Sequence, residues 1–221
     1  MMKLYFSLSL LFAATCLFGQ SSDASDLKEH FAEGIYLTHR SFIIGEPDLR
    51  WDEIEGEMVQ LPEAYRIQIA GLRDKKSGVL ESVYAVSLDG YPYLFAKADP
   101  QRNYHEFAGL RLSGRYRYYE YTDEVKDRKM MYAYNPINGQ PFRSAEVEVK
   151  KAVLEQRVVD LATGKTWPFS IDGVGDIVST DNDLLRAVNA LDINDRELFN
   201  KLMQALRLYN DRYPFKLMLP E

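Results

Sequence analysis

The residues best equipped for recognition lie in one run, Arg115-Tyr116-Arg117-Tyr118-Tyr119-Glu120-Tyr121, which holds four tyrosines in seven positions. Tyrosine offers a large, flat, amphipathic face at low entropic cost, which suits a binding surface. Exposed together, Tyr116, Tyr118, Tyr119 and Tyr121 would stack on sugars or other flat ligands, and Arg115 and Arg117 would draw an anionic one. The same run reads more readily as a strand, because tyrosine has a high β-propensity. Alternation then places Tyr116 and Tyr118 on one face and Tyr119 and Tyr121 on the other, covering core and edge. These four tyrosines and two arginines are the candidate binding residues.

Other chemistries lack their parts. The histidines are His30, His39 and His105, and none forms a metal-type pair with another by spacing. His105-Glu106 would act as an acid/base pair only if one cleft held both, yet neighbours on a strand face opposite sides. There is no Gly-x-Ser-x-Gly, no Walker loop and no Gly-x-Gly-x-x-Gly. The acidic residues Asp172, Asp176, Asp181 and Asp183 lack calcium-loop spacing and read better as helix caps. A glycosidase needs only two carboxylates at a set separation, so a hydrolase of glycans or other envelope polymers stays open as an alternative. No catalytic residue, metal ligand or cofactor is assigned.

The elements that must position these residues follow a leader. Met1-Met2-Lys3 precedes an apolar run from Leu4 to Phe18, and the polar stretch from Gln20 begins abruptly after Gly19. That is the pattern of a secretory signal peptide, and the run is short for a permanent span. The expected division is a signal peptide over 1–19, a polar segment over 20–33, a β-rich body over 34–165 and a helical unit over 166–221 packed on that body. Cys16 is the one cysteine of the 221 residues, so a chain cut near Gly19 has no disulfide and no thiol chemistry. Lipidation at Cys16 is the lesser alternative, since Ala13 and Thr15 depart from the lipoprotein pattern. The net charge of −6 argues against a nucleic-acid partner.

Within the body, Gly34 to Thr38 is a short β-type run, and Phe42 to Pro62 looks irregular. Tyr65, Ile67 and Ile69 alternate with polar residues as in a half-buried strand. Asp89-Gly90 joins two β-type runs in the manner of a tight hairpin, with Pro92 at the start of the second. A further strand pattern covers Phe107 to Tyr121, bent at Gly109 and Gly114. Met130 to Tyr134 is a short strand closed by Asn135-Pro136 and Asn138-Gly139, and Val147 to Leu161 is one strand or two. Then the character changes. Ser170 caps a helix through Ile177. Thr180-Asp181-Asn182-Asp183 resembles a capping box for a second, and Leu198, Leu202, Leu206 and Tyr209 form the apolar stripe of a third, ending near Tyr213 before Pro214. The fold class is α+β: a strand-rich antiparallel body, as a partly open barrel or sandwich, with a helical C-terminal unit.

Several stretches resemble a family of exported, uncharacterised proteins of Bacteroidetes-type bacteria. They are Gly34-Ile35-Tyr36-Leu37-Thr38 with Phe42, the Asp89-Gly90 to Phe95 hairpin, Arg157 to Lys165, Asp181 to Leu185, and Tyr209 to Pro214. His39-Arg40 and the segment from Arg50 to Pro62 depart from the pattern. The resemblance covers nearly all of the chain after the leader. It implies a secreted or envelope-associated protein with no assigned reaction.

The expected function is thus an exported, non-catalytic binding or structural component of the cell envelope. Its partner would be an envelope protein or polymer, with no integral span after processing. The location would be periplasmic, outer-membrane-associated or extracellular. N-terminal mass analysis of the exported protein is expected to find a chain beginning at Gln20 or Ser21; a lipidated Cys16 at the N-terminus would contradict this.

Overall fold

The computed structural model describes residues 30–217 apart from 79, 81 and 100–102, so the leader and residues 20–29 lie outside the described residues. The first sheet has six antiparallel strands: β1 (Gly34–Tyr36), β2 (Ile54–Leu61), β3 (Arg66–Asp74), β4 (Ala85–Leu88), β5 (Tyr91–Asp99) and β6 (Tyr104–Gly109). They lie in the order β1-β4-β5-β6-β3-β2 and curl into a half-barrel. At the Asp89-Gly90 turn both residues have positive φ, 53° and 77°, as a two-residue hairpin loop demands. Pro92 stands at the second position of β5, opposite Ser87.

Besides 3₁₀ turns at Trp51–Glu53 and Pro62–Ala64, the segment expected to be irregular, Phe42 to Pro62, takes in parts of two longer elements. One is a short helix, α1 (His39–Ile44), whose Thr38 side chain accepts from the Ser41 amide at 3.0 Å and whose chain reverses at Gly45 with φ 71°. The other is β2, an edge strand with only Ile54 buried, so it lacks the apolar alternation that marks a strand in sequence.

The second sheet is built on a long hairpin. β7 (Tyr116–Tyr134) has 19 residues and β8 (Pro141–Asp160) has 20, and β9 (Thr166–Pro168) pairs with the root end of β8. The patterns around Tyr121 and Met130, expected as separate strands, are one continuous strand. β9 continues the strand-rich part three residues past the expected boundary at 165. Three helices follow: α2 (Ile171–Ile177), α3 (Asn182–Asn189) and α4 (Leu198–Arg212). Ser170 Oγ accepts from the Gly173 amide at 3.1 Å, and Asp181 Oδ1 accepts from the Leu184 amide at 3.1 Å, so both expected caps are in place.

These parts stack in layers. On one face of the first sheet, Ile35, Ile67, Ile69, Val86 and Phe107 form one core. Between the sheet and the hairpin, Phe42, Ala85, Leu94 and Ala108 meet Tyr119, Val159 and Leu161. On the hairpin's other side, Tyr116, Tyr118 and Val158 meet Val174, Ile177, Val188, Leu202 and Leu206 of the helices. Burying each aliphatic or aromatic side chain contributes about 1.5–3 kcal/mol, so the root of the hairpin gains from two cores at once.

One side chain ties the helical layer to the start of β7. Asn210, buried on α4, accepts from the Tyr116 amide at 3.0 Å and donates to the carbonyls of Tyr116 at 2.8 Å and Ser113 at 2.9 Å. Gly114 makes room: a Cβ there would lie 2.9 Å from the Asn210 side chain, and its φ of +94° disfavours any other residue. Asn210→Ala strips partners from buried backbone groups, each costing about 1–3 kcal/mol, so the variant is expected to lose about 2–4 kcal/mol in urea denaturation. A loss under about 0.5 kcal/mol would contradict the latch.

Candidate functional site

The expected stacking platform is not exposed. Tyr116, Tyr118 and Tyr119 are buried, and Tyr121 is half-buried with its ring stacked on Tyr119. Tyr116 and Tyr118 face the helices while Tyr119 and Tyr121 face the half-barrel, which is the alternative arrangement drawn from alternation. The reason is positional: the run sits where both faces of the hairpin are covered. Burial pushes the Tyr119 hydroxyl up to about 12, with Tyr121 adding to the shift.

The two arginines are engaged within the chain, Arg115 partly exposed and Arg117 buried. Arg115 is bidentate to Asp160, with Nε at 2.7 Å and Nη2 at 2.8 Å. Arg117 is fully buried, donates from Nε to the Gly114 carbonyl at 3.2 Å and lies over the Phe31 ring at 5.7 Å. Burial lowers its pKa to about 10, so it stays charged at neutral pH. Both arginines fasten the turn that leads into the hairpin.

The histidines do not converge on a site. His39 Nε2 is 2.9 Å from the Leu161 carbonyl, and its ring meets Tyr84 edge-on. His105 lies near Phe95, and burial lowers its pKa. Its neighbour Glu106 is buried and held by Arg66 Nη1 at 3.0 Å and Gln68 Nε2 at 2.8 Å. Among the described residues no group of three or more His, Cys, Asp or Glu could hold a metal. A hollow of about 520 Å³ opens beside Ala32, Glu33, Pro47, Arg50, Trp51 and Asp52, wide and shallow rather than enclosing.

What stands out instead is the part of the hairpin that leaves the body. A collar of polar contacts surrounds its exit. Arg66 reaches Thr122 Oγ1 at 3.3 Å, and Lys97 donates to the Thr122 carbonyl. Arg111 pairs with Glu120 at 2.8 Å, Tyr118 donates to the same carboxylate, and Gln156 donates to the Tyr118 hydroxyl at 2.8 Å. Strands of the half-barrel thereby fix the direction in which the ribbon departs.

Beyond the collar, every residue of β7 from Glu124 to Tyr134 is exposed. At about 3.3 Å per residue, this arm reaches about 35 Å from the body. Its tip is a turn in which Gly139, at φ 67°, donates to the Asn135 carbonyl at 2.8 Å. Met130, Met131, Tyr132, Tyr134 and Ile137 cluster at this end, and Ile137 is 93 % exposed. An isolated two-stranded ribbon is marginal in water, and this arm carries several large apolar side chains bare to solvent.

Sequence reasoning missed the arm because residues 122–129, Thr-Asp-Glu-Val-Lys-Asp-Arg-Lys, show no alternation of apolar and polar types. A usable signal was present: the turn Asn135 to Gly139 sits midway between two β-type runs of nearly equal length. Compared with known proteins, the chain matches no protein-family model, no curated protein and no solved structure. Its function therefore rests on geometry.

The clamp at the hairpin's base gives a pH test. Burial works to raise the Asp160 pKa, but Arg115, the Thr163 hydroxyl and the Ala162 amide outweigh it and hold the carboxyl below its ordinary 3.8. A depressed folded pKa means the contribution is complete above the unfolded value and is lost as pH falls through the folded one. Asp160→Asn is expected to be less stable than the parent at neutral pH, with the gap closing as pH falls below the ordinary carboxylate range. A gap independent of pH would contradict the assignment.

Proposed function

We propose that the protein is an exported, non-catalytic component of the cell envelope that engages a partner through the β7–β8 arm. The arm carries this reading: a body closed on three apolar cores projects a ribbon whose outer half, Glu124 to Tyr134, is wholly exposed and ends in bare Met, Tyr and Ile side chains. Export is supported by the leader-like first 19 residues, and the resemblance to exported Bacteroidetes-type proteins implies the same location. Among the described residues no helix is long and apolar enough to cross a membrane. The buried carboxylates Glu106 and Asp160 are engaged by Arg66 and Arg115, which fits structural use.

The test is to shorten the arm and follow the protein in its native cell. Lys126 and Lys150 are register partners, so an Asn-Gly turn replacing residues 127–149 closes the ribbon above its collar. The shortened chain is expected to keep its melting temperature within about 3 °C, a shift worth about 1 kcal/mol, while moving from the sedimenting envelope fraction to the soluble exported fraction. Equal distribution of parent and shortened chain would overturn the reading, as would recovery of the parent from the cytosol with its initiator methionine.

A further inference from the structure

The arm has two unlike faces. Cross-strand partners share a face, and alternate residues along a strand share one too. One face carries Glu124, Lys126, Lys150 and Glu148, and its charges answer one another: Lys150 pairs with Glu124 at 3.0 Å and Lys126 with Glu148 at 3.4 Å. The other face, read from root to tip by register, holds Asp123 beside Val153, Val125 beside Lys151, Asp127 beside Val149, Lys129 beside Val147, Met131 beside Ala145, and Ala133 beside Arg143. It is an apolar stripe edged with charge. Among the described residues, Asp127, Lys129, Lys151 and Arg143 make no ion pair within the chain.

The order of those charges is directional. Asp123 and Asp127 lie toward the root with Lys151 between them, and Lys129 and Arg143 lie toward the tip. A face net acidic at one end and basic at the other complements its own reverse. We propose that this face is a docking surface for a second copy of the chain, with two arms packed antiparallel about a two-fold axis between residues 127 and 129. That axis sets Asp127 of each arm against Lys129 of the other. It also sets Val149 over Val147, Val125 over Met131, and Asp123 over Ala133, diagonal to Arg143. An isologous contact repeats each pair twice, so complementarity counts double.

Three further observations fit this occupant. Residues 122–153 hold six Lys and Arg against five Asp and Glu, so two arms approach without the repulsion that a chain of net charge −6 would otherwise bring. Lys126, Arg128, Lys129, Lys150 and Lys151 line the strands, and charged residues discourage edge-to-edge growth into a larger sheet, leaving the face as the contact. The face is two strands wide and about 35 Å long, a footprint of about 350 Å² per copy. That is about 700 Å² in total, below the range of stable specific interfaces, so the dimer is a weak, reversible one.

The inference rests on the arm being the interaction element, and its test separates the two. Sedimentation equilibrium of the processed full chain is expected to show the mass rising toward that of two chains with concentration, and the dimer weakening with salt. Asp127→Lys and Lys129→Asp each place like charges at both symmetric contacts and are expected to weaken the dimer at least about tenfold. Mixing the two variants restores every opposite pair, so the mixture is expected to dimerise where neither does alone. The double variant is expected to dimerise again as well. Both positions are exposed on the arm, so folding is spared. A monomer at hundreds of micromolar, or a dimer indifferent to the swaps, overturns the proposal. If the chain stays monomeric while the shortened arm still abolishes envelope retention, this inference fails and the reading above stands. If it dimerises while shortening leaves retention unchanged, the reverse holds.

Discussion

The structure depends on one constraint: the root of the β7–β8 hairpin is buried on both faces. Most ribbons in an antiparallel sheet cover one core and show the other face to water. Here Tyr116, Tyr118 and Val158 serve the helical core while Tyr119 and Val159 serve the core against the half-barrel. Period-two alternation within a single short run therefore joins two layers that otherwise touch little. Tyrosine suits both sides, since its ring fills a core and its hydroxyl can find a polar partner at the margin, as that of Tyr118 does at Glu120. The flanking arginines are part of the same joint: Arg115 clamps Asp160, and Arg117 lies in the interior against Phe31. Asn210 completes it by answering the backbone of Tyr116 from α4.

Because the root is held from two sides, the outer half has a defined direction. The collar of Arg66, Lys97 and Arg111 acts at the exit, where the ribbon passes from two-sided burial to two-sided exposure. The side chains change with it. Large aromatics give way to a charge ladder on one face and a valine stripe on the other, and apolar residues return at the tip. A ribbon anchored this way can present a surface far from the body without the entropic cost of ordering a loose loop on contact.

Much of this was legible in the sequence where one physical rule dominated. The Asp89-Gly90 hairpin, the Ser170 and Asp181 caps, and the Leu202–Leu206–Tyr209 stripe each follow from local backbone or periodicity arguments, and each is present. The α+β division followed from them. What escaped were elements whose signal depends on tertiary context. β2 is an edge strand with one buried residue, and α1 has only six residues. The outer part of β7 is charged because neither face is covered by its own chain, so it carries no alternation to read. The tyrosine run shows the converse difficulty. Its composition suits both a binding platform and a doubly buried strand, and only the position of the two flanking layers decides between them.

The central claim is that one continuous hairpin is fixed at its root and awaits an occupant along its outer half. Hydrogen–deuterium exchange across a concentration series tests it most directly. The account predicts slow exchange at residues 116–122 and 154–160 at every concentration. For the outer segments 124–134 and 141–152 it predicts fast exchange in dilute solution that slows as concentration rises. Rapid exchange at the root, or an outer half whose protection ignores concentration, would contradict it.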